Sequence, residues 1–212
     1  MLTGLNQIEG ELKKRLAYPY KWGRKQNDYF DKLTNYVYGI SLFDEVLKET
    51  EKRFSNDKEH KNIANYALNR WYNFWSAQAV EKIFCSLPNV KPALDEKDRL
   101  VDFTIDGVKF DHKTSVFPQN FPFQIDEAIK KTDELIRWLY KHQSQQQRKH
   151  LKNRLFIVLY SNDGEHWKLK AEISWLRERI EKYMIGFNPA FLLKFSLEKN
   201  YDTLADVIWA IR

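Results

Sequence analysis

Asp102, Asp111 and Lys113 are the residues of this sequence whose types and spacing could do chemistry together. The two aspartates flank Asp106-Gly107, a dipeptide that tolerates left-handed backbone and suits a two-residue type I′ hairpin turn. Counting outward from that turn sets Ile105 opposite Val108, Thr104 opposite Lys109, Phe103 opposite Phe110, and Asp102 opposite Asp111. Strand alternation then gathers Val101, Phe103, Ile105, Val108 and Phe110 on an apolar face. Leu100, Asp102, Thr104, Lys109, Asp111 and Lys113 share the other. Facing carboxylates would have Cβ atoms about 4.5–5.5 Å apart and repel each other. A hard divalent cation between them, Mg²⁺ or Mn²⁺, removes that conflict, and Lys113 reaches the same space. The competing reading is a solvated polar face with a salt bridge.

The pattern of Asp102 followed, after a short hairpin, by Asp111-His112-Lys113 resembles the motif of the PD-(D/E)XK nuclease superfamily. Val101 stands where the family usually carries proline. The resemblance covers roughly residues 62–161 and implies an α/β fold with a restriction-endonuclease-like αβββαβ core, a mixed sheet flanked by helices. It implies a metal-dependent endonuclease that hydrolyses phosphodiester bonds of DNA. Asp102 and Asp111 would hold Mg²⁺ (or Mn²⁺), with the His112 backbone carbonyl as a further ligand, and Lys113 would assist the attacking water. Many relatives carry an extra glutamate on the helix before the sheet. Glu81 falls there, as a ligand by resemblance or a solvent-facing glutamate by default. His112, the middle residue of the triplet, should point away from Asp111 and reads as a packing residue. A function of a different class is a noncatalytic DNA-binding or assembly subunit on the same scaffold. Facing carboxylates weigh against it, since a purely structural module gains nothing from them.

These residues need elements to position them. Helical spacing of apolar residues predicts helices over 1–17, 27–54 (bent near Gly39), 62–86 (ended by Pro88), 124–143 and 168–183. Residues 89–94 read as a first strand. The continuous apolar run 154–161 reads as a buried central strand, and 190–197 and 204–211 as further strands or short buried segments. Residues 1–61 form a helical N-terminal region, and 62–212 the nuclease-like core with a C-terminal extension. Two stretches suit a polyanion. Tyr18 to Lys25 interleaves aromatic and basic residues, although a loop folding its aromatics onto the core is the leading reading. Residues 141–154 hold five Lys or Arg, two His and no acid, which makes Arg148, Lys149 and Lys152 candidates for phosphate contact, against a solvated loop. Asn69 and Arg70 are weaker candidates.

The 212 residues carry a net charge of +6, and 43% are hydrophobic, which together describe a folded chain compatible with a nucleic-acid partner. DNA is favoured over RNA, no membrane is expected, and a homodimer is an open alternative. No run of eighteen apolar residues and no secretory leader is present, so a cytoplasmic location is the expectation. Cys85 is the single cysteine, which excludes an internal disulfide and a cysteine-based zinc cluster, and its apolar helical surroundings read as structural. P-loop, dinucleotide, HExxH and Gly-x-Ser-x-Gly motifs are absent.

Overall fold

The periodicity of residues 27–54 does not yield one bent helix. After α1 (Leu5–Lys14), the chain forms α2 (Asp28–Thr34), a 3₁₀ turn over Asn35–Gly39, and a separate α3 (Phe43–Phe54). The computed structural model, which describes residues 4–22, 28–94, 100–142, 151–198 and 201–212, supplies the reason. Helix α4 (His60–Cys85) sends polar side chains into that segment. Buried Arg70 donates to the Asp31 carbonyl at 2.6 Å, Thr34 Oγ1 at 2.6 Å, Asn35 Oδ1 at 3.0 Å, and the Tyr38 hydroxyl. Trp71 Nε1 donates to the Ile40 carbonyl at 2.7 Å and Trp75 Nε1 to that of Val37 at 3.3 Å. Carbonyls satisfied from outside need no continuous helical ladder.

The same logic corrects two phosphate-contact candidates. Asn69 is fully buried, with Nδ2 on the Lys21 carbonyl and Oδ1 accepting from fully buried Arg15. Arg70 is spent on backbone and side-chain oxygens, so neither faces a ligand. Tyr20 and Trp22 pack edge-on against Tyr72 and Tyr66, which assigns them to the core; residues 23–25 lie outside the described residues.

The chain divides into two units, Met1–Ala79 with Lys170–Ser174, and Val80–Leu169 with Trp175–Arg212. The second unit holds the sheet: β1 (Val90–Pro92), β2 (Phe103–Ile105), β3 (Val108–Val116), β4 (Arg154–Tyr160), β5 (Leu193–Glu198) and β6 (Tyr201–Ile211). Their order is β1-β2-β3-β4-β6-β5, antiparallel at both ends and parallel through β3, β4 and β6. The helix, three strands, helix, strand succession expected around the hairpin is present. The helix before β4 is broken, however, into α5 (Ile125–Lys130) and α6 (Thr132–Lys141). Lys131 leaves helical geometry between them, and Thr132 Oγ1 takes the Ile129 carbonyl at 2.9 Å. The break rephases the apolar face, so Ala128 is buried and Ile129 lies exposed.

Asp106 and Gly107 take φ of 46° and 86°, as a type I′ turn requires, and the pairs Ile105↔Val108, Thr104↔Lys109 and Phe103↔Phe110 form as counted. Six of the seven residues of β4 are buried, the signature of a strand covered on both faces. On one face Phe156 and Val158 pack with Leu135, Ile136 and Tyr140 of α6. On the other, Phe103 stacks on Phe84 at the end of α4, with centroids 4.5 Å apart. Such a pair contributes about 0.5–1.5 kcal/mol beyond its buried area. Tyr183 of α7 (Ile173–Ile185) meets Asp206 on that second face. Among the described residues no helix is long and apolar enough to cross a membrane.

Candidate functional site

The β3–β4 register decides which way each site residue points. Asp111 pairs with Arg154 and Lys113 with Phe156, and parallel register partners project to the same side. Phe156 meets the Tyr140 ring, so Asp111 and Lys113 stand on the α6 face. His112 pairs with Leu155 and projects to the opposite face, where its ring stacks on Phe103 at 5.9 Å. It is buried there, as the sequence suggests for a packing residue, but it also makes the site's most direct contact.

That contact is with Asp102, which lies one residue outside the ladder. The β2–β3 pairing ends at Phe103, and the Asp102 backbone N–H reaches the Phe110 carbonyl at 2.8 Å. Past this point β3 still presents the His112 N–H toward the place β2 has left. The Asp102 carboxylate fills it: Oδ2 accepts from the His112 backbone N–H at 2.7 Å and from Nδ1 at 2.6 Å. A side chain therefore substitutes for a strand carbonyl, and Asp102 turns to His112 instead of lying squarely opposite Asp111.

Burial of the Asp102 carboxyl would raise its pKa, but the hydrogen bond and charge of His112, with Arg154 behind them, hold it below the ordinary 3.8. Burial likewise works against the imidazolium, and His112 Nε2 has no hydrogen-bond partner among the described residues. The Asp102 carboxylate outweighs this and raises His112 above its ordinary 6.5. The pH dependence follows by linkage. The His112 contribution to stability is complete below 6.5 and is lost as pH rises through the raised value. That of Asp102 is complete above 3.8 and is lost as pH falls through the depressed value. Asp102→Asn should therefore cost about 1.5–3 kcal/mol between those two pH values, and less toward pH ~9. Thermal unfolding of both proteins across that range is the check, and a pH-independent difference would show that the pair is not the titrating unit.

Asp111 has a partner that sequence reasoning missed. Arg154 Nε donates to Asp111 Oδ2, with the two side chains only 5% and 15% exposed. Arg154 ends the basic stretch and opens the buried strand, and it is a core cation on the α6 face. Its neighbour Asn153 ties the strands together. The Asn153 carbonyl accepts from the Asp111 N–H at 3.0 Å, Nδ2 donates to the Lys109 carbonyl at 3.1 Å, and Oδ1 accepts from the Leu204 N–H at 2.8 Å. An arginine opening an otherwise apolar run was the available signal, since a charge entering a buried strand needs a carboxylate to meet it.

Glu81 lies on α4 one turn before Cys85, and both its charge and that of Asp102 act on the Cys85 thiol. Burial first, then those two charges, push the thiol up to about 11, so it stays protonated at neutral pH. Glu81 also raises His112. Lys113 is exposed on β3, two residues beyond Asp111. Lys152 is half-buried, its ammonium 4.4 Å from the Tyr201 ring centroid. Arg148 and Lys149 lie outside the described residues.

Among the described residues no three His, Cys, Asp or Glu side chains group as a ligand set. Mg²⁺ does not require three: it is commonly held by one or two carboxylates and keeps several waters. The residues present fit such an ion by donor chemistry. Asp102 and Asp111 offer hard oxygens, and Asp102 Oδ1 takes no bond from a described residue. The Asp111 charge is met in this state by the Arg154 guanidinium. No protein-family model matches the chain, and no curated protein and no solved structure matches it either.

Proposed function

We propose that the chain is a Mg²⁺-dependent nuclease, an endonuclease with DNA as its substrate, built on a restriction-endonuclease-like core. The observation that carries this reading is where the three residues fall in the sheet. Asp102 stands at the point where β2 leaves β3, Asp111 on β3 next to that point, and Lys113 exposed two residues on, while one guanidinium, Arg154, acts on both carboxylates. The order α4, β1, β2, β3, α5–α6, β4 supports the same reading.

Asp102 and Asp111 would hold the ion, with Glu81 and the His112 carbonyl available to complete its surroundings. Such an ion supplies Lewis acidity toward a phosphoryl oxygen. Every other role belongs to the chain. His112 locks the Asp102 carboxylate with two hydrogen bonds, fixing the orientation of Oδ1. Lys113 orients the attacking water and stabilises negative charge that develops on the phosphate in the transition state. The net charge of +6 favours a polyanionic substrate.

A second reading, a noncatalytic DNA-binding or assembly subunit, draws on one observation: both carboxylates already have protein donors. Cleavage of plasmid and single-stranded DNA by purified protein in Mg²⁺, against chelator and against Asp111→Ala, separates the two. Mg²⁺-dependent products lost in the variant support the nuclease; DNA binding without products supports the subunit. In either case Arg148, Lys149 and Lys152 are expected to contact phosphates, so neutralising all three should reduce the slope of log affinity against log salt by about 2–3. An unchanged slope would assign the stretch to solvent.

A further inference from the structure

We propose that Arg154 is the cation the carboxylate pair carries when no metal is bound, and that a divalent ion reaches Asp111 only by displacing it. The inference rests on the reading of Asp102 and Asp111 as a metal pair and adds the means by which that pair is held ready. A guanidinium in a buried strand needs a counter-charge. Register pairing of Asp111 with Arg154 supplies it. The ion pair is largely withdrawn from solvent, and the same guanidinium lowers the Asp102 carboxyl. Arginine cannot deprotonate, so this positive charge persists at every pH and must move for another cation to enter.

The structure also offers the guanidinium somewhere to go. Its carbon lies 5.5 Å from the Tyr140 ring centroid and 5.6 Å from that of Phe156, within cation–π range of both. Tyr140 is anchored through its hydroxyl to the Lys152 carbonyl at 2.8 Å. A small rotation would take the Arg154 guanidinium off Asp111 and leave it against these rings. Arg154 is in this sense a positioning residue: it acts on Asp111, not on substrate.

Calorimetric titration with Mn²⁺ of the wild type, Arg154→Met and Arg154→Lys tests the idea without reference to cleavage. Removing the competing charge should tighten Mn²⁺ binding about tenfold or more in Arg154→Met, while Arg154→Lys, which keeps the charge, should stay near wild type. A purely structural arginine predicts the reverse, because losing it would misplace Asp111. Equal or weaker binding by Arg154→Met overturns the proposal. Should that variant not fold, NMR of the wild-type Arg154 Nε–H decides. Mg²⁺ should shift it and speed its solvent exchange with the calorimetric midpoint, and an unmoved resonance at saturation overturns the proposal. Plasmid cleavage keeps the two readings apart. Tighter binding by Arg154→Met with no cleavage by any form leaves displacement standing and removes the nuclease. Cleavage by the wild type with unchanged affinity in Arg154→Met does the opposite.

Discussion

Asp111→Asn should abolish Mg²⁺-dependent cleavage and also cost about 3–5 kcal/mol of stability. The two losses have one origin. The carboxylate supplies the charge that a hard cation requires, and it neutralises Arg154, whose side chain is 5% exposed. Asparagine can still accept the Nε hydrogen bond but brings no charge, and arginine cannot shed its own. For a chain of this size the melting temperature should fall by about 6–20 °C. The effect should be non-additive: Asp111→Asn combined with Arg154→Met removes both charges and should recover much of the stability without restoring cleavage. Differential scanning calorimetry of the three variants measures this. Full additivity would mean the ion pair is not the unit described.

Lys113→Ala is expected to separate chemistry from binding. The side chain is exposed, so the stability loss should be small beside that of Asp111→Asn. Mg²⁺ affinity should hold or rise slightly, because a neighbouring positive charge is gone. Single-turnover cleavage should nonetheless fall by roughly 10²–10³, the scale for losing one preorganised stabilising group. Wild-type cleavage by this variant would remove the role given to Lys113 even if both aspartates bind metal.

The contrast between these variants traces to what local sequence can encode. The hairpin was legible because Asp106 and Gly107 dictate a turn on their own, and the turn fixes the register of the residues beside it. The central strand was legible because six apolar residues in a row, Leu155 to Tyr160, favour burial. A bend near Gly39 was legible, but the split into two helices around Asn35–Gly39 and the break at Lys131 were not. The first depends on Arg70, Trp71 and Trp75 reaching back more than thirty residues to claim carbonyls. The second depends on a local hydroxyl that periodicity ignores. The site divides the same way. Spacing brought Asp102, Asp111 and Lys113 to one hairpin, but the exit of Asp102 toward His112 follows from where β2 stops pairing, which no turn rule specifies. Arg154 lies 43 residues from Asp111, and only the parallel β3–β4 register makes them neighbours.

A crystal structure of the wild type soaked in Mn²⁺, with an anomalous difference map, tests the central claim most directly. The account predicts one strong peak about 2.1 Å from a carboxylate oxygen of Asp102 and one of Asp111, with the Arg154 guanidinium withdrawn toward Tyr140 and Phe156. A map with no peak between these carboxylates at saturating Mn²⁺, and Arg154 still on Asp111, would contradict it.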